Sequence, residues 1–225
     1  YENESAVGDG IAQADVSRED VFLATKVWID SLAPADVRQT TRESLDRLGV
    51  DSVELLYVHW PARTYDAEAT LSAFADLREE GTIDRIGVSN FEPAQLETAL
   101  DVLDGEVFAN QVECHPMLPQ PELRKACADA GVELVAYSPL ARGGVFDVDV
   151  LSAIAADRGV SEAQVSLAWL REKNVTTIPK ATSEAHVLDN FESLALSLTD
   201  EEVARIDDID RRSRRVDPRF GPWNR

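Results

Sequence analysis

Short apolar runs alternate with longer amphipathic stretches along the whole chain. Val21-Phe22-Leu23-Ala24-Thr25-Lys26 reads as a strand ending in a charge. Ala33-Pro34-Ala35-Asp36 then opens a helix with proline in its first turn; Val37, Thr41, Leu45 and Leu48 share one face, and Gly49 stops it. Leu55-Leu56-Tyr57-Val58-His59-Trp60-Pro61 is a run of buried-strand length, closed by a proline that cannot donate to a ladder. A helix over 67–80 follows, then a strand over 83–88 ending in Ser89-Asn90-Phe91, and a helix from Glu92-Pro93 carrying Leu96, Ala99, Leu100 and Leu103 on one face. Strands over 107–112, 132–137 and 175–178 alternate with helices over 121–130, 148–158, 161–173, 183–191 and 200–209. Before all of these, 3–14 reads as a helix interrupted by Gly8 and Gly10, and 211–225 as an irregular tail near the mouth of the fold.

Alternation of strand and helix with short connections predicts an α/β fold with a parallel sheet covered by helices. No strand is followed by Gly-x-Gly-x-x-Gly, so nothing points to a Rossmann nucleotide site. A (β/α)8 TIM barrel needs eight strands and about 250 residues. With 225 residues and about six strand–helix units, 1–225 reads as a single barrel domain with units missing.

Composition narrows the classes. The formal charge is −20, from 42 acidic and 22 basic residues. Such a surface repels nucleic acid and anionic membranes, so neither is an expected partner. Adaptation to high salt, in a halophilic, acidic proteome, is one cause of such an excess, because salt screens the repulsion among the carboxylates. Two cysteines, Cys114 and Cys127, form no disulfide framework and sit in no metal spacing. With no membrane-length apolar run and no signal-peptide pattern at Tyr1-Glu2-Asn3-Glu4, the chain reads as cytoplasmic, and a monomer is expected.

Polar groups recur at successive strand ends: Lys26, His59, Ser89-Asn90, Gln111 with Glu113, Tyr137-Ser138, and Lys180. In a barrel all of these share one mouth, where active sites are built. A lone strand-end histidine is as readily a core residue bonded to a carbonyl; the repetition is what favours a site. Glu113 and His115 read as structural, Cys114 and Met117 as packing, and Asp207-Asp208-Asp210 as a solvated helix end rather than a metal site. Arg211-Arg212 and Arg214-Arg215 read as surface ion pairing in so acidic a protein.

These blocks, in this order, resemble the aldo-keto reductases over essentially the whole chain. The resemblance rests on Tyr1-Glu2-Asn3-Glu4, Ala24-Thr25-Lys26-Val27-Trp28, Val58-His59-Trp60-Pro61, Ile86-Gly87-Val88-Ser89-Asn90-Phe91, Asn110-Gln111-Val112-Glu113-Cys114-His115-Pro116, Ala136-Tyr137-Ser138-Pro139-Leu140, Ile178-Pro179-Lys180 and the tail Val216-Asp217-Pro218 with Trp223. It implies reduction of aldehydes or ketones by hydride from a nicotinamide cofactor. Tyr1 is implied as the general acid, Lys26 as the ammonium that lowers its pKa, and His59 as the hydrogen-bond partner of the carbonyl oxygen. Ser89, Asn90 and Gln111 are implied to hold the carboxamide, Tyr137 to stack on the nicotinamide, and Ser138 and Leu140 to line the pyrophosphate. Lys180 is implied to meet the 2′-phosphate of NADP, and Asn190 the adenine. Trp28, Trp60 and Trp223 are implied to wall an apolar pocket for a small-molecule carbonyl substrate, with packing as the plainer role.

The pattern departs from the family in two ways. An Arg and a Ser expected near Lys180 are His186 and Ala181, so NADP is expected with NAD use possible. The family's catalytic aspartate would lie before residue 1, so the chain reads as amino-terminally incomplete, lacking the first two strands. A non-catalytic cofactor-binding regulatory module, or an inactive truncated homologue, is the alternative; Tyr1, Lys26 and His59 argue against it. A metal-dependent barrel hydrolase ranks lower, since the three histidines are not paired in ligand spacing. The charge balance predicts that the melting temperature rises from low to molar salt; greatest stability at low salt would overturn the high-salt reading.

Overall fold

The computed structural model describes residues 3–224, which form two compact units: 3–110 with 220–224, and 111–219. Within each unit the strands follow one another in chain order.

The first unit starts with α1 (Glu4–Gln13), β1 (Ala24–Val27), α2 (Pro34–Leu48), β2 (Val53–Val58), α3 (Ala67–Glu79), β3 (Ile83–Ser89) and α4 (Pro93–Val102), and takes in the start of β4 (Ala109–Glu113). β1, β2 and β3 are parallel, with Ala24 level with Leu55, and Leu55 with Arg85. α2 buries Val37, Thr41, Leu45 and Leu48, the face its apolar spacing predicts, and ends at Gly49 in the left-handed region (φ 70°). Asp66 caps α3 by accepting from the Ala69 N–H at 2.8 Å, and Glu92 with Gln95 forms a capping box on α4.

Two local expectations change. β1 begins at Ala24 rather than Val21; Phe22 is 53% exposed and sits outside the ladder. The helix expected to be broken at Gly8 and Gly10 is continuous. Gly8 is instead the point of close approach to α2: a Cβ there would lie 2.3 Å from the Leu48 carbonyl oxygen.

The second unit holds the rest of β4, α5 (Pro121–Asp129), β5 (Glu133–Tyr137), a 3-10 segment Ala141–Asp147, α6 (Asp149–Arg158), α7 (Glu162–Glu172), β6 (Thr176–Thr177), α8 (Glu184–Glu192) and α9 (Asp200–Asp207). β5 and β6 are parallel, and β6 is shorter than its apolar run predicts because Pro179 follows closely. α7 is buried almost throughout and centres on Trp169. The acidic run at the end of α9 is not simply solvated. Asp207 accepts from Trp169 Nε1 at 2.9 Å and from Lys173 Nζ at 2.5 Å. α8 buries none of its residues and leaves Val187, Leu188 and Phe191 exposed.

Among the described residues no helix is long and apolar enough to cross a membrane. Gly8→Ala should destabilise the α1–α2 contact by about 1–3 kcal/mol, the usual range for overpacking. Hydrogen exchange should show faster exchange in α1 while the α7 amides stay protected.

Candidate active site

In the first unit the parallel register brings Lys26 and His59 to the same cavity. Lys26 is the third residue of β1, and His59 follows the last residue of β2, its N–H donating to the Val27 carbonyl at 3.1 Å. Trp28, 46% exposed, meets the His59 ring edge-on with centroids 4.8 Å apart. The cavity has a volume of about 830 Å³, and its walls include Glu4, Thr25, Lys26, Trp28 and His59. Glu4, given no role from sequence, accepts from Thr25 Oγ1 at 2.6 Å and pairs with Arg47 at 2.7 Å, tying α1 to β1 and α2. Burial works against its charge, but these bonds outweigh it and hold the carboxyl below its ordinary range.

Ser89 and Asn90 are buried at the end of β3. Asn90 has a left-handed backbone (φ 63°), and its Nδ2 donates to the His59 carbonyl at 3.1 Å and to Ser89 Oγ at 3.0 Å. The end of β3 is thereby locked to the end of β2. Trp60, buried, packs on Trp223 at 5.6 Å and on Phe220 at 5.4 Å; Phe220 also meets Trp28 at 6.4 Å. Phe220 is a wall residue that the sequence reading passed over, although it lies three residues before Trp223 in an otherwise polar tail.

Burial drives the electrostatics here. It lowers the Lys26 pKa from its ordinary value. It also lowers that of His59, with the Lys26 charge adding to the effect, down to about 3. His59 is therefore a neutral imidazole at physiological pH, able to donate one hydrogen bond without carrying charge.

In the second unit Gln111 is buried on β4, and the half-buried Tyr137 ends β5. Ser138 (φ 49°), Ala141 (φ 49°) and Arg142 (φ 51°) put left-handed turns into the loop that carries Leu140. Ser166 Oγ, from α7, donates to the Pro139 carbonyl at 2.9 Å and fixes that loop from behind. Lys180 is exposed just after β6, and Asn190 lies near the end of α8, its carbonyl accepting from Ser193 Oγ at 2.6 Å.

Glu113 and His115 are wholly buried and bonded to each other at 2.9 Å. Glu113 also accepts from the backbone N–H groups of Arg215 (2.6 Å) and Val216 (2.8 Å), so it anchors the tail. Burial opposes its charge, but these donors outweigh it and depress the pKa. The tail arginines do not follow the surface-pairing expectation throughout: Arg211 donates to the Asp147 carbonyl and Arg212 to that of Ile209. Tyr1, the expected general acid, lies outside the described residues.

Each unit by itself carries groups of the chemical kind that a nicotinamide dinucleotide calls for. The first unit offers the buried Ser89–Asn90 pair for an amide. The second offers a half-exposed aromatic ring at Tyr137, a loop of left-handed turns able to come close to a pyrophosphate, and an exposed ammonium at Lys180. Among the described residues no group of histidine, cysteine and carboxylate side chains could hold a metal.

The folded His59 takes up a proton only near pH 3, whereas the unfolded one does so near 6.5. Its contribution to stability is therefore full above pH 6.5 and is lost as pH falls toward 3. In an NMR titration the His59 ring protons should show no inflection between pH 5 and 8; an inflection near 6.5 would contradict the burial argument.

The whole chain has relatives of known kind. The model of the "Aldo/keto reductase family" matches residues 1–211. The glyoxal reductase of Bacillus subtilis is 37% identical over 222 residues, covering 99% of this chain and 78% of the relative. The methylglyoxal reductase DkgB of Escherichia coli O157:H7 is 32% identical over 221 residues, covering 97% of this chain and 83% of the relative. Among solved structures, a Bombyx mori aldo-keto reductase in complex with NADP superposes with a TM-score of 0.91 at 31% identity, over 97% of this chain and 78% of that one. A family match of this extent, with relatives above 30% identity that are themselves largely covered, makes this chain a member of the aldo/keto reductase family, an α/β-barrel oxidoreductase that reduces carbonyl groups.

Proposed function

We propose that the protein reduces small aldehydes or ketones with NADPH, using His59, Lys26 and Tyr1 for the carbonyl oxygen. The observation that carries this is the pairing of a neutral histidine and a half-buried lysine on the walls of one cavity. A nicotinamide cofactor supplies the hydride that goes to the carbonyl carbon. His59, uncharged, donates a ring N–H to the carbonyl oxygen and holds it in place as negative charge develops there. Tyr1 gives that oxygen its proton. A free phenol has a pKa near 10 and is a slow acid at neutral pH. In this reading the Lys26 ammonium stabilises the phenolate and brings the pKa down.

Ser89, Asn90 and Gln111 would hold the carboxamide of that cofactor. Tyr137 would offer an aromatic face to the nicotinamide, and Ser138 and Leu140 would hold the pyrophosphate. Lys180 would hold the 2′-phosphate and Asn190 the adenine. With Ala181 and His186 beside it, Lys180 carries the phosphate preference without a neighbouring arginine, so NADH is a weaker second cofactor. Trp28, Trp60 and Trp223, with Phe220, form an apolar wall suited to small substrates. The names of the relatives, glyoxal and methylglyoxal reductases, make short dicarbonyl compounds the first substrates to try. The two buried, unbridged cysteines suit a reducing cytoplasm.

Four tryptophans give a signal for cofactor titration in high salt. Saturable quenching by NADPH, with weaker binding of NADH, is the expected result. Lys180→Ala should weaken NADPH by about tenfold, about 1.4 kcal/mol, and leave NADH unchanged. Absence of binding by a folded sample would overturn the cofactor assignment.

A further inference from the structure

Lys26, Tyr57 and Gly87 stand in one row across β1, β2 and β3: Lys26 is level with Tyr57, and Tyr57 with Gly87. Tyr57 is almost fully buried, at 2% exposure. Its ring leans over Gly87 so closely that a Cβ on that glycine would lie 2.5 Å from both ring carbons Cδ1 and Cε1. No real Cβ comes so near an aromatic ring, so the missing side chain at Gly87 is what gives the ring its place. Gly87 has no positive φ, so its role is space and not backbone freedom. On the other side of the row, the Lys26 ammonium lies 5.4 Å from the centroid of the same ring, within the range of a cation–π contact.

From this row we infer that Gly87 and Tyr57 are positioning residues for Lys26: the glycine seats the tyrosine ring, and the ring sets where the ammonium lies. The inference rests on the proposed role of Lys26. Lysine has four rotatable bonds, and half-burial removes part of the water that would otherwise hold its head group. A flat, negatively polarised ring face in a rigid core restricts that freedom and offsets part of the lost hydration. A methyl group at position 87 would push the ring away from β3 and toward β1, into the space of the ammonium. Misplacement of a catalytic group by about 1 Å costs up to about a hundredfold in rate.

The test is a set of variants followed by kcat, carbonyl KM, NADPH affinity and melting temperature. Gly87→Ala should lower kcat by about ten- to a hundredfold while KM and NADPH affinity stay near those of the parent. Tyr57→Leu, which keeps an apolar side chain but removes the ring, should act the same way, whereas Tyr57→Phe should retain most of the turnover. In a Lys26→Met background, Gly87→Ala should add no further loss, because both changes act through one group. If Gly87→Ala does not fold, the Tyr57→Leu and Tyr57→Phe pair decides the matter alone. Parental kcat in folded Gly87→Ala or Tyr57→Leu, with Lys26→Met inactive, overturns the positioning inference and leaves the reductase mechanism standing. Parental kcat in Lys26→Met overturns the role of Lys26 itself and the inference with it.

Discussion

The in-register parallel pairing of β1, β2 and β3 is the constraint on which the rest of the candidate site depends. Side chains alternate faces along a strand, so a slip of one residue would turn Lys26 away from the face it shares with Tyr57 and Gly87. The same register ends β1 and β2 at nearly one level. The His59 N–H can then reach the Val27 carbonyl, and Asn90 can bridge back from β3 to the His59 carbonyl. Backbone pairing thus determines which side chains share a level, and a few polar side chains lock the strand ends that pairing leaves ragged.

A molecule with a formal charge of −20 keeps its few interior polar groups under close control. Lys26 and His59 are held toward their neutral forms by burial, the ordinary consequence of removing water from a cation. Glu113 shows the opposite balance. It is fully buried, yet three N–H donors, from His115, Arg215 and Val216, favour its charged form strongly enough to lower its pKa. Cys114, next in the chain, has no such donors; burial pushes its thiol up to about 12, so it acts as a small apolar side chain.

Much of the fold is legible in the chain because the sources of secondary structure are local. Apolar spacing at Val37, Thr41, Leu45 and Leu48 gives the inner face of α2, Gly49 gives its stop, and Pro61 falls just past the end of β2, all as the residues dictate. Boundaries are less legible where tertiary contacts decide them. Val21 and Phe22 have strand-like character but lie outside the β1 ladder. Gly8, read from sequence as a helix breaker, is a contact point that only the path of α2 explains. Asp207, set within an acidic run, looks solvated until Trp169 and Lys173 are brought to it from α7 and its end.

The sequence by itself determined the alternation of strand and helix, the acidic surface, and the residue types at the strand ends, since each follows from side-chain chemistry and spacing along the chain. His59, Ser89, Asn90 and Lys26 are visible at that level as polar groups closing apolar runs. Only the tertiary structure decided that His59 stays neutral, that Asn90 reaches back to its carbonyl, that Phe220 joins the tryptophan wall, and that Tyr57 lies between Gly87 and Lys26. These properties depend on burial and on contacts between residues about thirty or more positions apart, and local spacing carries no record of either.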